Sequence, residues 1–286
     1  MFAPSPNRIS VVRAIATLAL FLAGLTWAQS PIEQVGNEKE RASSSDTTPG
    51  VPTSISMGSG FVVDDGYVMT AWHVVQKYDQ ILIGPSPAGR WVQGQVVKSD
   101  PAQDLALIKV AIGLPPLMFA PSAEVPIGLE VTVVGFPLPR VQGMTRKITQ
   151  GLINGLQRQS QETTDTGLFQ ISAEVSMGNS GGPVFAPDGT VVAMVQRKLL
   201  NTQVAQQTND WPTNVNYALR SSALIRFLQG SPARPRISAL SLNTFRRPHE
   251  IFQAQGASVV SVIGRQAPQS SGSSAPPQSS SDTNRP

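Results

Sequence analysis

The 286-residue chain contains no cysteine. That excludes a disulfide framework, a thiol nucleophile and a cysteine-ligated zinc site. Histidine is nearly as scarce. His73 and His249 are the two in the chain, too little material for a histidine metal site, so neither a metal nor a cofactor is expected. Charged residues make up 14% and aromatic residues 6% of the chain. The formal charge of +4 comes from scattered Lys and Arg, without a basic run or an interleaved aromatic platform, so a nucleic-acid partner is not expected. Long apolar runs are missing as well. The stretch 14–28 falls short of the ~20 residues that a membrane span needs.

What that stretch does offer is a delivery signal. Arg8 and Arg13 precede it, and it closes on the small residue Ala28. A basic start, a short apolar centre and a small exit residue describe a secretory signal peptide over residues 1–28. An uncleaved anchor is the alternative, and once the signal is cut no stable membrane span is expected. Either way the protein is exported, to the periplasm or out of the cell. Residues 29–55 are polar and without periodicity, and read as a flexible linker.

From Ser56 the texture changes to short apolar runs punctuated by turn residues. Strands are expected at 60–63, 67–70, 80–83, 91–97, 105–110, 130–134, 146–153, 168–172, 183–185, 190–195 and 215–219. Asp64-Asp65-Gly66 and Pro187-Asp188-Gly189 are turn signals within this series. Residues 221–228 switch to helical spacing, with Leu224, Ile225 and Leu228 able to share a face. The expectation is an all-β fold of two six-stranded antiparallel β-barrels with a C-terminal helix, over residues 56–230. Residues 231–286 read as a Pro/Ser-rich, largely disordered tail. Within it, 257–263 is a lone apolar stretch: a strand docking on the domain or on a partner, or merely a sticky segment.

Three segments carry chemistry. Met177-Gly178-Asn179-Ser180-Gly181-Gly182-Pro183 holds a serine between glycines, which turn the backbone tightly and keep bulk away from the hydroxyl. The amides of Gly178 and Ser180 can then point at one spot, where an oxyanion could form. In Val68-Met69-Thr70-Ala71-Trp72-His73 a β-rich run delivers an imidazole. At Asp104-Leu105-Ala106-Leu107-Ile108 a carboxylate stands at the mouth of an apolar strand. Serine is a poor nucleophile without a base to take its proton. Histidine takes it near neutral pH and returns it to the leaving amine, and a carboxylate on the far ring nitrogen fixes the tautomer. The chain order His73, Asp104, Ser180 puts the first two in one barrel and the third in the other, with the active site between them.

These segments, with Gly58-Ser59-Gly60-Phe61-Val62 and Asn216-Tyr217-Ala218-Leu219, resemble the trypsin-fold serine peptidases, most closely their bacterial HtrA/Deg-like branch, over about residues 56–228. The resemblance implies His73 as general base, Asp104 as its orienter, Ser180 as nucleophile, and the N–H groups of Gly178 and Ser180 as oxyanion hole. Zymogen-activated trypsins carry an aspartate before the serine. Asn179 stands here and cannot pair with a newly cut N-terminus, so activation by such a cut is not implied. The branch often carries a PDZ domain. Only residues 231–286 remain for one, so regulation through it is not expected, while a homo-oligomer built by the protease domain stays open.

Glu174 departs from the branch, which usually has a small or apolar residue there. At the offset where trypsin places its pocket acid, it either reaches the specificity pocket and favours Lys or Arg, or it turns to solvent or pairs with an Arg. Trp72 is expected to pack beneath the histidine, Asp100 to hold a turn, and His249 to be exposed. The expected function is an exported serine endopeptidase acting on proteins with unfolded or extended segments. A catalytically silent module of the same fold that binds peptides or partners is the alternative, and an envelope-attached protein working through its Ser/Pro-rich end is a further one.

Overall fold

Alternation of β-branched residues with turn chemistry produces a barrel that begins at β1 (Ile55–Asp64) and β2 (Tyr67–Ala71). Asp65 and Gly66 make the turn between them, and Gly66 takes a φ of +73° that favours glycine. After β3 (Gln80–Gly84), β4 (Val92–Asp100) and β5 (Leu105–Lys109), the barrel closes through the last strand of the structure, β14 (Val259–Arg265). The order around it is β1-β14-β3-β4-β5-β2. This computed structural model describes residues 54–84, 89–158, 165–197 and 215–266. The expected signal peptide, nearly all of the linker and the Ser/Pro-rich end beyond residue 266 lie outside the described residues.

The second barrel holds β7 (Glu130–Gly135), β8 (Lys147–Arg158), β9 (Asp165–Ile171), β10 (Pro183–Phe185), β11 (Val191–Arg197) and β12 (Asn216–Arg220). They run in the order β10-β7-β8-β9-β12-β11 and close by pairing of β10 with β11. Two short strands, β6 (Met118–Phe119) and β13 (Arg236–Ile237), extend this sheet in parallel from β11. Period-2 alternation sorts the side chains between two cores. On β7, Val131 and Val133 enter the second barrel, whereas Val134 packs with Phe61 and Val62 of β1 against the first. The expected pair of six-stranded antiparallel barrels is therefore the fold.

The expected end of the domain at residue 230 is wrong. The helix at Ser221–Leu228 forms, burying Ala223, Leu224, Phe227 and Leu228, but the ordered chain continues through β13, a helix at Pro248–Gln255 and β14. A largely disordered tail cannot include residues 231–266. Of the readings left open for 257–263, the docked strand is the one the structure adopts. Val259, Val260 and Val262 are fully buried, and β14 pairs antiparallel with β1 on one side and β3 on the other. The helix at Pro248–Gln255 was missed although it carries two start signals, Pro248 in the first turn and Glu250 accepting from the Arg247 N–H at 2.7 Å. Its apolar periodicity is weak, with Ile251 its one buried residue.

Because β14 is a wall of the first barrel, a chain ending after Gln255 is expected to lose cooperative thermal unfolding followed by circular dichroism, whereas one ending after Gln266 keeps it. In the full chain Val262→Ala removes buried methyl surface and lowers stability by roughly 1.5 kcal/mol, read from the shift of the same transition.

Candidate active site

At the end of β2 the chain turns into one helical turn, α1 (Trp72–Val75), which sets His73 at the barrel mouth. Asp104 stands just before β5 in the left-handed region, φ +56°, a conformation that aspartate tolerates better than most residues. Three hydrogen bonds hold it to α1. The His73 backbone N–H donates to Oδ1 at 2.8 Å, His73 Nδ1 bonds Oδ2 at 2.7 Å, and the Trp72 N–H donates to the Asp104 carbonyl at 3.0 Å. With Nδ1–H donating its hydrogen bond to the carboxylate, the ring presents Nε2 as the free base. The pair is partly shielded, with side-chain exposures of 29% and 15%. Gln196 of β11 reaches across and donates to the Gln103 carbonyl at 2.5 Å, tying the second barrel to the acid's loop. Asp100 holds the turn, accepting from the N–H groups of Ala102 and Gln103.

Ser180 lies on the loop between β9 and β10, at the edge of the second barrel. Four successive carbonyls of this loop are anchored. Met177 O accepts from Leu138 N–H at 2.6 Å, Gly178 O from the Ser59 hydroxyl at 2.7 Å, Asn179 O from Gly182 N–H at 2.8 Å and Ser180 O from Ser59 N–H at 2.9 Å. In a trans peptide the N–H points opposite to its C=O. Anchoring Met177 O and Asn179 O therefore turns the N–H groups of Gly178 and Ser180 the other way, and among the described residues neither has a hydrogen-bond partner. Gly178 takes φ +99°, and a Cβ there would stand 2.2 Å from Phe136 O; Gly181 takes φ +83°, with its Cβ 2.3 Å from Ser59 O. Only glycine fits at either position.

The two halves of the site meet around β1. A Cβ on Gly58 would stand 2.6 Å from Val74 Cγ2, next to His73, and 3.1 Å from the Ser180 carbonyl oxygen. A Cβ on Gly181 would touch Thr70 Oγ1 and Ala71 N, the backbone that leads into His73. The structure thus brings His73 and Asp104 into direct contact and sets the Ser180 loop against β1 and the end of β2 that leads into His73. Among the described residues Ser180 Oγ and His73 Nε2 have no hydrogen-bond partner. Hydroxyl–imidazole bonds are commonly loose until substrate is bound.

Beside Gly178 an apolar cavity of about 350 Å³ is lined by Ile55, Met57, Leu138, Pro139, Val141 and Met177, with Arg140 at its edge. A larger cavity, about 920 Å³, lies against β3 and β4 and shares no lining residue with the site. Glu174 is exposed; its carbonyl accepts from Thr149 Oγ1 at 2.7 Å, and among the described residues its carboxylate has no partner. Trp72 is partly buried and packs against the first core, and His249 is exposed on its helix. Sequence reasoning missed Ser59, Leu138 and Gln196. The first sits inside the Gly58-Ser59-Gly60 signature, but nothing local says where its hydroxyl points.

Residues 58–194 match the trypsin-like peptidase domain family. A probable periplasmic serine endoprotease, DegP-like, from Halomonas elongata is 35% identical over 141 residues, covering 49% of this chain and 29% of that protein. An uncharacterized protein from Sinorhizobium fredii, y4bJ, is 33% identical over 203 residues, 69% of this chain and 31% of its own length. The matched part of the chain thus spans about three-tenths of these relatives. Among solved structures, the HtrA-type protease AlgW with a decapeptide superposes with a TM-score of 0.50 at 25% identity, over 60% of this chain and 50% of that one. The histidine–aspartate pair and the glycine-bounded serine loop lie within residues 58–194, and this segment is a trypsin-like peptidase domain with HtrA/DegP-like proteases among its relatives.

Proposed function

We propose that this protein is an exported serine endopeptidase that hydrolyses peptide bonds through Ser180, His73 and Asp104. The observation that carries the reading is the 2.7 Å bond between His73 Nδ1 and Asp104 Oδ2, which leaves Nε2 free to serve as a base. As Ser180 Oγ attacks the scissile carbonyl carbon, its proton passes to His73 Nε2. The carbonyl oxygen becomes an oxyanion within reach of the Gly178 and Ser180 N–H groups, and Asp104 steadies the imidazolium. Collapse expels the amine, which leaves with the His73 proton. Water then attacks the acyl-enzyme with His73 again as base, releasing the acid and restoring Ser180. Every proton in this cycle moves between side chains of the chain, substrate and water.

Protein segments in extended conformation suit a cleft between barrels, and the AlgW structure contains a decapeptide. The cavity beside Gly178 offers apolar contact to a substrate side chain near the cut bond. Glu174, exposed and among the described residues bonded only through its backbone, supports the solvent-facing alternative over a basic-residue pocket. The signal-peptide pattern and the periplasmic DegP-like relative support export, with the periplasm as destination.

A fluorophosphonate probe is expected to label the purified protein and to leave Ser180→Ala unlabelled; an unlabelled wild type would instead identify a silent peptide-binding module. On an unfolded protein substrate Ser180→Ala should lower kcat by about 10⁶, and Asp104→Asn by about 10⁴ through the wrong tautomer. In peptide-library cleavage, Glu174→Ala is expected to leave the ratio of Arg to Leu substrates unchanged. A Glu174-dependent preference for Lys and Arg would restore the pocket-acid reading. Any role of the Ser/Pro-rich end is separated from catalysis by a deletion starting after residue 266, since an earlier cut removes β14.

A further inference from the structure

One group outside the triad governs the geometry that the triad needs. Ser59 lies on β1 in the first barrel, fully buried, and all of its polar groups are engaged. Its hydroxyl donates to Gly178 O at 2.7 Å and accepts from the Phe136 N–H at 2.9 Å. Its backbone N–H donates to Ser180 O at 2.9 Å, and its carbonyl accepts from Thr70 Oγ1 at 2.7 Å. Three of these four bonds end on the Ser180 loop or on Phe136, whose carbonyl lies against Gly178.

We infer that the Ser59 hydroxyl is a positioning group for the oxyanion hole, fixing the 178–179 peptide so that the N–H groups of Gly178 and Ser180 stay turned toward the reacting carbonyl. Of the four anchored carbonyls, three are held by backbone N–H groups and Gly178 O alone is held by a side chain. The N–H of that same peptide, on Asn179, donates to Ser176 O at 3.0 Å, so the Ser59 hydroxyl holds its opposite end. Glycine explores both signs of φ, so the orientation of the 178–179 unit depends on the bonds at its own two ends rather than on the anchors of Met177 O and Asn179 O. Turning it would swing the Gly178 carbonyl and disturb the donors on both sides. The space is closed to substitutes. A Cβ on Gly135 would fall 2.9 Å from Ser59 Oγ, and one on Gly182 would fall 3.3 Å from Ser59 Cβ, so a serine-sized group with a hydrogen-bonding tip fits and little else does.

The inference rests on the protease reading, and one set of measurements separates the two. Ser59→Ala removes the hydroxyl without adding bulk. Ser59→Cys keeps the volume with a weak donor, and introduces the only cysteine of the chain. Both are measured below their own unfolding temperatures beside Ser258→Ala, which removes a buried hydroxyl bonded to Pro115 O rather than to the Ser180 loop. The expected result is a kcat about 10- to 100-fold lower in Ser59→Ala, approaching the ~10²–10³ that loss of an oxyanion-hole donor produces. KM changes little. Affinity for a peptide aldehyde, whose adduct carries the oxyanion, falls by the same factor as kcat. Affinity for an uncleaved product peptide is retained, as is the midpoint of the pH profile. Ser59→Cys falls between the two, and Ser258→Ala lowers Tm without changing kcat. Should Ser59→Ala not fold, Ser59→Cys carries the comparison. Retention of wild-type kcat by the folded variants overturns the inference, as does an equal loss of affinity for aldehyde and product peptide. A wild type that neither hydrolyses peptides nor takes up fluorophosphonate removes the protease reading itself.

Discussion

The contact between β1 and the Ser180 loop is the constraint on which the rest of the structure depends. Two polypeptide segments from different barrels approach so closely that the Ser59 carbonyl excludes a Cβ at Gly181, while one at Gly58 would crowd the Ser180 carbonyl and one at Gly182 the Ser59 side chain. Hydrogen bonds from Ser59 to the carbonyls of Gly178 and Ser180 then fix the register between them. Barrel packing by itself is non-directional and would tolerate sliding. These bonds have direction, and they convert an apolar interface into a defined distance between the imidazole carried by one barrel and the hydroxyl carried by the other.

That role makes the wall of the first barrel part of the site. Ser59 sits opposite Ser261 in the pairing of β1 with β14. The strand that holds the serine loop is thus itself held by residues from the far end of the chain, beyond the segment 58–194 that matches the peptidase family. Between the two, residues 231–258 run along the second barrel. β13 extends its sheet, Ser241 N–H donates to Asp188 at 2.8 Å, and Arg146 donates to Gly256 O. The C-terminal segment fastens the barrels together before it closes the first one, so its order and the geometry at Ser180 are physically linked.

The sequence displayed whatever is written in local chemistry. Alternating Val, Ile and Leu located the strands β2, β5, β7 and β11 to within a residue or two, with an Asp-Gly turn beside β2 and β11, and the histidine, aspartate and serine stood out as candidates because few residue types can do such work. What stayed hidden depends on distant partners. Residues 55–59 lack a strand pattern and extend β1 only because β14 lies beside them. β14 had the right composition, but no local feature states that the β1 and β3 edges are free to receive it. Ser59 could be read as a member of a glycine-rich signature, not as a hub, because its hydroxyl finds its partners only after the barrels dock.

The same geometry accounts for the residue before the nucleophile. Asn179 is buried to 3% exposure, with its amide oxygen where a Cβ on Gly135 would fall. An aspartate at such a depth would bring a charge that needs a cation beside it, which is how a cut N-terminus can act as a switch. A neutral amide brings no such charge, and here it packs closely against Gly135. The anchors of the 177–180 carbonyls are likewise all neutral, three backbone amides and one hydroxyl. The loop that presents Ser180 is therefore held without ion pairs to any of its carbonyls, and no charge change is required to assemble it.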